Sequence, residues 1–217
     1  GCNLRFHPCI KKIKDLIEKE NIGRILSAQV ENCSYLPDSH RWEDYKKSFS
    51  ARKELGGGVI LTLIHEIDYM YWFFNKVEDV VSISEKLSDL DISVEDFSAS
   101  ILKFSNNVIG EVHLDYFQKP NFKRCKIRGT KGEIYWDSDK NCVNIYNIKK
   151  NKWETKFETG FSNNIDMYTS YVEEMKHFLK CVKQRKETIN NLEQGVITLK
   201  IALAIKKASQ IRKSVNV

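Results

Sequence analysis

The sequence predicts an α+β fold in which a broad antiparallel sheet carries helices on one face. Short strand-like segments follow one another between residues 77 and 157, and turn-forming residues separate them. Consecutive strands joined by such turns pair in antiparallel fashion. Helix-like segments lie before and after this run rather than between its strands, and this segregation is typical of α+β proteins.

The N-terminal part predicts one helix and one strand. Residues 7–20 have apolar side chains at helical spacing, and Gly23 follows the end of that pattern. Residues 24–33 have the composition of a strand. Residues 34–54 form a long polar connection that is rich in aromatic and charged side chains. Connections of this length in a compact domain are usually functional or disordered, and the aromatic side chains favour a functional one.

Three glycines, Gly56–Gly58, precede a helix that is predicted to continue to about Phe74. This segment is apolar on most of its circumference, so we expect it to be buried. Within the run of strands, Asn106-Asn107 has the character of a hairpin turn.

Two further helices are predicted at residues 164–185 and 192–213, with Asn191 as the N-cap of the second. Each has an apolar stripe at helical spacing. The stripes consist of Ile165, Tyr168, Val172, Met175, Leu179 and Val182 in the first helix and of Leu192, Val196, Leu199 and Leu203 in the second.

Length and composition exclude several classes of protein. The 217 residues are 41% apolar and 29% charged, which excludes a disordered or low-complexity chain. The length is that of one large domain or two small ones. The longest apolar stretch, residues 58–74, contains His65, Glu66 and Asp68, so no membrane-spanning segment is predicted.

Six scattered cysteines, with no CxxC pair, are interpreted as the reduced thiols of a cytoplasmic protein. The N-terminal residues contain no apolar segment of a secretory signal, which agrees with this location. A zinc site at Cys2, His7 and Cys9 would need a fourth ligand that no nearby residue supplies, so no metal site is predicted.

The net charge of +6 is uneven, and residues 123–128 are strongly basic. Nucleic-acid binding is therefore one hypothesis. In this segment, however, Cys125 and Ile127 alternate with basic residues, which favours a strand with one solvent-facing side. No recognised nucleic-acid motif accompanies the segment, so we expect no nucleic-acid partner.

His65, Asp68 and Trp72 lie at positions i, i+3 and i+7 of the predicted helix and therefore share a face. Histidine is the usual acid/base side chain near neutral pH, although a histidine on an apolar helix is most often a core residue. The preceding glycines let a backbone or ligand approach closely. They do not form the G-x-G-x-x-G fingerprint of dinucleotide binding, which occurs nowhere in the chain.

Five segments resemble the C-terminal domain of the glucose–fructose oxidoreductase/inositol dehydrogenase family (Gfo/Idh/MocA). They are Asn3-Leu4-Arg5-Phe6-His7-Pro8, Glu54-Leu55-Gly56-Gly57-Gly58-Val59-Ile60-Leu61, Ile64-His65-Glu66-Ile67-Asp68-Tyr69, Glu111-Val112-His113-Leu114-Asp115-Tyr116 and Gly129-Thr130-Lys131-Gly132-Glu133-Ile134. The resemblance covers essentially the whole chain and is strongest for members that act on sugars or their derivatives.

The resemblance implies an open, mainly antiparallel sheet backed by helices, which supplies the substrate pocket and mediates oligomerisation. In the family, a separate N-terminal Rossmann domain binds NAD or NADP and contributes a catalytic Lys within a Glu-Lys-Pro motif. Neither feature is present in this sequence. Residues 1–217 are therefore expected to form a single substrate-binding and oligomerisation domain that does not bind NAD or NADP tightly alone.

Site residues are also implied by the resemblance. His65 matches the histidine that handles the proton of the oxidised hydroxyl, and Asp68 matches an acidic residue that could orient it. Asn3 lies in the segment nearest the nicotinamide and is the expected cofactor-binding residue. The expected substrate-binding residues are Arg5, Arg41, Trp42, Asp44 and Tyr45.

Thr62 departs from the family pattern, because many members carry an Asp one helical turn before the histidine. Threonine cannot act as a carboxylate base, so activity is weakened, the role has moved to another residue, or Thr62 simply packs. The principal hypothesis is that this chain is part of an NAD(P)-dependent oxidoreductase that acts on a sugar-like substrate. The alternative is a stand-alone, non-catalytic module for ligand binding or assembly.

Overall fold

A computed structural model describes residues 1–39, 42–160 and 163–217. In the described part, the strands are β1 (Ile25–Tyr35), β2 (Val77–Glu85), β3 (Phe97–Phe104), β4 (Ile109–Asp115), β5 (Phe117–Gly129), β6 (Gly132–Asp137), β7 (Cys142–Asn147), β8 (Lys152–Glu158) and β9 (Val215–Asn216). The α-helices are α1 (Pro8–Glu18), α2 (Leu36–Ser39), α3 (Val59–Thr62), α4 (His65–Phe74), α5 (Asn163–Gln184) and α6 (Leu192–Ile211). Short 3₁₀ turns occur at Asn3–Phe6, Tyr45–Lys47, Phe49–Ala51 and Lys53–Leu55.

All of these strands belong to one sheet, in the order β8-β7-β6-β5-β1-β4-β3-β2-β9. The pair β1–β4 is parallel, and the other neighbouring pairs are antiparallel. The predicted α+β class with a mainly antiparallel sheet is confirmed. The sequence did not predict that β1 enters the middle of the sheet between β5 and β4.

The two faces of the sheet differ in burial. Val30 on β1 and Val112 on β4 lie in the core, whereas Glu31 and His113, the next residue on each strand, are partly exposed. Alternation of this kind means that one face packs against the helices and the other remains open. We call the second one the open face. Its apolar residues include Val81, Ile83, Ile101 and Ile109.

The basic segment of residues 123–128 lies within β5. Cys125 and Ile127 are buried, as the alternation predicts. On the open face, Arg124 pairs with Glu31 of β1, while Lys126 and Arg128 both pair with Glu133 of β6. Neighbouring carboxylates therefore balance these cations, which favours the strand interpretation over a nucleic-acid interface.

The helix predicted from the glycines to Phe74 is two helices. Leu63 and Ile64 separate α3 from α4, and Leu63 has a ψ of 37° that leaves the helical range. The prediction of one continuous helix is wrong, because the apolar pattern runs through the break without a turn-forming residue. The break makes His65 the first residue of α4.

Two of the three glycines bring the backbone of the preceding connection against the start of α3. A Cβ atom at Gly57 would overlap the carbonyl oxygens of Phe49, Ser50 and Arg52. Gly58 has a φ of +109°, which other residues rarely adopt. The close approach that the glycine triplet predicts is made by backbone at Gly57 and by the Glu95 carboxylate at Gly58.

We expect Gly57→Ala to lower the free energy of unfolding by about 1–3 kcal/mol, because the added methyl group overpacks a rigid contact. Gly195→Ala is the matched control, since Gly195 lies within α6 with no atom near its Cβ position. That control should stabilise the protein by about 0.5–1 kcal/mol. Urea unfolding measures both, and equal effects of the two substitutions would contradict the close contact at Gly57.

The last two helices lie close to their predicted limits, and the Asn191 side chain caps α6 by accepting from the backbone N–H of Gln194 at 3.0 Å. The described members of their apolar stripes are largely exposed. Leu192 is 85% exposed and Tyr168 is 71% exposed. These stripes therefore form an apolar outer surface. They do not pack into the core.

All six cysteines are free. Within the residues that the structure describes, no helix has the length and apolar character required to cross a membrane.

Candidate functional site

The predicted site residues Arg5 and Asp68 form a buried ion pair. Both side chains are at most 1% exposed. Arg5 donates from Nε to Asp68 Oδ2 and from Nη2 to Asp68 Oδ1, each at 2.8 Å. Thr198 Oγ1 donates to Asp68 Oδ1 at 3.1 Å. The bidentate geometry matches a planar guanidinium to a carboxylate and is the strong form of this interaction.

The remaining donors of Arg5 extend this network to the start of α6. Nη1 donates to the carbonyl oxygen of Ile189 at 2.9 Å and also to Gln194 Oε1. The guanidinium carbon lies 5.7 Å from the ring centre of Trp72. Arg5 therefore ties the N-terminal segment to α4 and α6, and its placement favours a positioning role. A direct contact between Arg5 and substrate remains a prediction.

His65 begins α4 and is largely enclosed by protein. Its imidazole pKa is lowered to about 4, chiefly by burial and also by the positive charge of Lys123, while the negative charge of Asp68 acts in the opposite direction. The ring is thus neutral at pH 7. Its Nδ1 atom is buried and has no hydrogen-bond partner among the described residues. A neutral imidazole with an unpaired nitrogen can accept a proton.

Two ionisable groups near His65, the Glu66 carboxyl and the Lys123 amine, were not identified from the sequence as site residues. Glu66 is 1% exposed, and burial raises its pKa, against the effects of Lys123 and Asn32. Asn32 of β1 and Lys123 of β5 are paired in register. Lys123 is two residues before Cys125 and four before Ile127, so all three side chains lie on the same face of β5. Because Cys125 and Ile127 are predicted to be buried, this spacing could have indicated that Lys123 points toward the helices.

The pKa of His65 predicts a pH dependence of stability. Its value in the unfolded chain is about 6.5, so the unfolded state binds the proton more tightly than the folded state. The stability contribution is complete above pH 6.5 and is lost as the pH falls toward about 4. The expected loss is about 3 kcal/mol. His65→Gln should remove this component, and urea unfolding of both proteins from pH 7 to 4 measures the difference. Parallel curves would contradict it.

The connection before the glycines contains three described site candidates. Trp42 is 82% exposed. Asp44 is exposed and accepts from the backbone N–H of Lys46 at 3.1 Å, which caps the turn Tyr45–Lys47. The hydroxyl of Tyr45 accepts from the backbone N–H of Asp91 at 3.3 Å. Arg41 lies outside the described residues. Substrate contacts by these four residues remain predictions.

Asn3, the candidate cofactor contact, is 1% exposed. Its Nδ2 atom donates to Ser170 Oγ of α5 at 2.9 Å, while Oδ1 is buried without a partner in the described part of the chain. Thr62 ends α3, so it belongs to a different helix from His65. The Thr62 hydroxyl is buried, a placement that agrees with a packing role.

The described residues do not fit the phosphates of a dinucleotide. Such a site needs a glycine loop between a strand and a helix of a parallel βαβ unit, whose backbone N–H groups face the ligand. Here the glycines precede α3, and the space at Gly57 is occupied by backbone carbonyl oxygens, which would repel phosphate. No reaction step is therefore assigned to a cofactor held by this chain.

Comparisons with known proteins agree with this architecture. Residues 10–135, more than half of the chain, match the model of the GFO/IDH/MocA C-terminal domain. The chain belongs to this family.

Two curated relatives match nearly the whole chain. Myo-inositol 2-dehydrogenase of Thermotoga maritima is 25% identical over 225 residues, covering 100% of this chain and 63% of that protein. 1,5-Anhydro-D-fructose reductase of Ensifer adhaerens is 24% identical over 212 residues, covering 95% and 60%. A solved structure of levoglucosan dehydrogenase in complex with NADH superposes with a TM-score of 0.85 at 18% identity, over 100% of this chain and 64% of that chain. This chain thus spans less than two thirds of the length of these relatives.

Proposed function

We propose that residues 1–217 form the substrate-binding and oligomerisation domain of an NAD- or NADP-dependent oxidoreductase that acts on a sugar, a polyol or a sugar derivative. His65 is the acid/base group. The observation that carries the proposal is the neutral, enclosed imidazole with a buried, unpaired Nδ1 at the start of α4. Family membership and the names of the two curated relatives support an oxidoreductase with a sugar-like or polyol substrate.

Oxidation of a secondary alcohol removes a hydride from carbon and a proton from oxygen. A nicotinamide supplies the hydride chemistry when it is bound. In this chain, His65 accepts the hydroxyl proton in oxidation and returns it in reduction. Asp68 lies one turn along α4, where Arg5 and Thr198 hold its carboxylate in a fixed position. The negative charge of Asp68 opposes the effect of burial on His65 and therefore stabilises the protonated ring.

The nicotinamide is proposed to be held by a Rossmann domain on the same polypeptide. The exposed apolar stripes of α5 and α6 support this proposal, since they provide a surface against which another domain can pack. The free cysteines are compatible with a cytoplasmic location.

The experiment is an intact-mass measurement of the protein isolated from its native cell. The proposal expects a mass above 25.4 kDa by roughly one domain of about 100–150 residues. A mass near 25.4 kDa would favour the alternative of a stand-alone, non-catalytic module.

Self-association is proposed to use the open face. Exposed Val81 pairs with Ile101 across β2 and β3, and exposed Ile83 lies two residues from Val81. Further along the same face, the cations of β5 are paired with Glu31 and Glu133. An open sheet face with exposed apolar side chains suits a second copy of the same chain.

We expect Ile83→Asp to convert the oligomer into a monomer, because the new carboxylate would be desolvated without a partner in the interface. Ile148→Asp is the matched control, since Ile148 is exposed in the turn between β7 and β8. Analytical ultracentrifugation measures the mass of each species. An unchanged sedimentation profile for Ile83→Asp would contradict this interface, as would a monomeric wild-type protein.

A further inference from the structure

Three metal-ligating side chains converge on the open face. Cys33 of β1 is paired in register with Asp115 of β4, and His113 is two residues before Asp115 on the same side of that strand. The thiol sulfur, one imidazole nitrogen and one carboxylate oxygen all lie within 4.8 Å of one another. No local sequence pattern indicates this cluster, because 80 positions separate Cys33 from His113 and the parallel pairing of β1 with β4 brings them together.

The distance between two of the ligand atoms fits an edge of a tetrahedral metal site. His113 Nε2 lies 3.3 Å from Asp115 Oδ2, which matches the edge of about 3.3 Å in a tetrahedron with metal–ligand bonds of about 2.0–2.1 Å. A sulfur, an imidazole nitrogen and a carboxylate oxygen form a donor set that suits Zn²⁺. Mg²⁺ prefers octahedral oxygen ligands and fits this set poorly.

Neighbouring groups hold two of the ligands in place. Asp115 Oδ1 accepts from the backbone N–H groups of Phe117 and Gln118 at 3.2 and 3.0 Å, so Oδ2 is left to face His113. The ring of Phe97 packs edge-on against His113, with centroids 5.3 Å apart and an interplanar angle of 83°. Such supporting contacts orient metal ligands and reduce the cost of assembling the site.

Access to the cluster is from one side. Cys33 is 2% exposed, and the side chains of Asp115 and His113 are 3% and 40% exposed. A metal ion would enter past the imidazole. The nearby Glu31 carboxylate is paired with Arg124 and is not needed as a ligand.

We propose that Cys33, His113 and Asp115 bind one Zn²⁺ ion, with a fourth coordination position open to water or a small ligand. The site lies outside the Arg5–Asp68 network, and the inference does not depend on the proposed dehydrogenase function.

The test is a metal titration of the purified full chain, with Zn²⁺ measured by competition against a chromophoric chelator and Co²⁺ as a spectroscopic probe. One equivalent of Zn²⁺ is expected to bind, Mg²⁺ is expected not to compete, and Co²⁺ should give the absorption of a tetrahedral thiolate complex. Cys33→Ser should abolish the thiolate band, and both Cys33→Ser and His113→Ala should raise the Zn²⁺ dissociation constant at least tenfold.

Matched controls are Cys142→Ser, a cysteine outside the cluster, and Glu111→Ala, on the same strand and side as His113. Both should bind Zn²⁺ like the wild type. His113 is partly exposed, so His113→Ala tests the site even if the buried Cys33→Ser variant fails to fold. The inference is overturned by the absence of stoichiometric Zn²⁺ binding. Affinity that is unchanged in folded His113→Ala would also overturn it.

Discussion

Replacing His65 by Gln in the complete protein is expected to lower kcat by about 10²–10⁴-fold, the usual contribution of a positioned general acid/base. Glutamine keeps a polar side chain of similar length but cannot accept the substrate proton near pH 7. Because His65 is proposed to act on the proton in the transition state, substrate affinity should change much less than kcat. Steady-state kinetics, together with substrate binding to the variant, separates the two effects.

The pH profile gives a second readout of the same substitution. The wild-type kcat/KM should fall on the acid side as His65 becomes protonated, with a midpoint near the lowered pKa of about 4 and not near 6.5, the value for an exposed histidine. This acid limb should be absent from the residual activity of His65→Gln. A variant that folds normally and retains wild-type kcat would show that His65 is a structural residue.

Replacing Arg5 by Ala is expected to lower the free energy of unfolding by about 3–5 kcal/mol, because it leaves the Asp68 carboxylate buried without its cation. The pair is almost fully excluded from solvent, and the same Arg5 also satisfies the carbonyl oxygen of Ile189. Urea unfolding of Arg5→Ala measures this loss, and the same measurement on the single variants Arg5→Met and Asp68→Leu supplies the reference for the double variant.

The double variant Arg5→Met/Asp68→Leu is the internal control for this ion pair. Since it removes both charges and fills the space with apolar side chains, it should be more stable than the sum of the single changes predicts. Glu54→Ala is the surface control, because the Arg52–Glu54 pair is about half exposed and should have no measurable effect. Additive losses in the double variant would contradict a coupled buried pair.

Local patterns in the sequence predicted the elements that depend on neighbouring residues. The alternation of Cys125 and Ile127 with basic residues correctly predicted which side chains of β5 are buried. Asn191 correctly predicted where α6 begins. The break at Leu63–Ile64 was missed, because the apolar pattern continues across it and the tertiary fold determines where the helix bends.

Contacts between residues far apart in the chain could not be predicted from local sequence patterns. The spacing of His65 and Asp68 placed them on one helical face, but no pattern indicated that Arg5, 63 positions earlier, would be the ion-pair partner of Asp68. In the same way, insertion of β1 beside β4 brings Cys33 to Asp115. The family resemblance identified the candidate residues, while their partners became visible only in the folded chain.

The most direct test of the central claim is turnover by the complete protein with NAD and NADP over a panel of sugars, polyols and anhydro sugars, followed by the absorbance of the reduced nicotinamide. We expect oxidation or reduction of at least one compound, and its loss in a folded His65→Gln variant. A complete, folded protein that neither binds a nicotinamide cofactor nor turns over any member of the panel would contradict the proposed function.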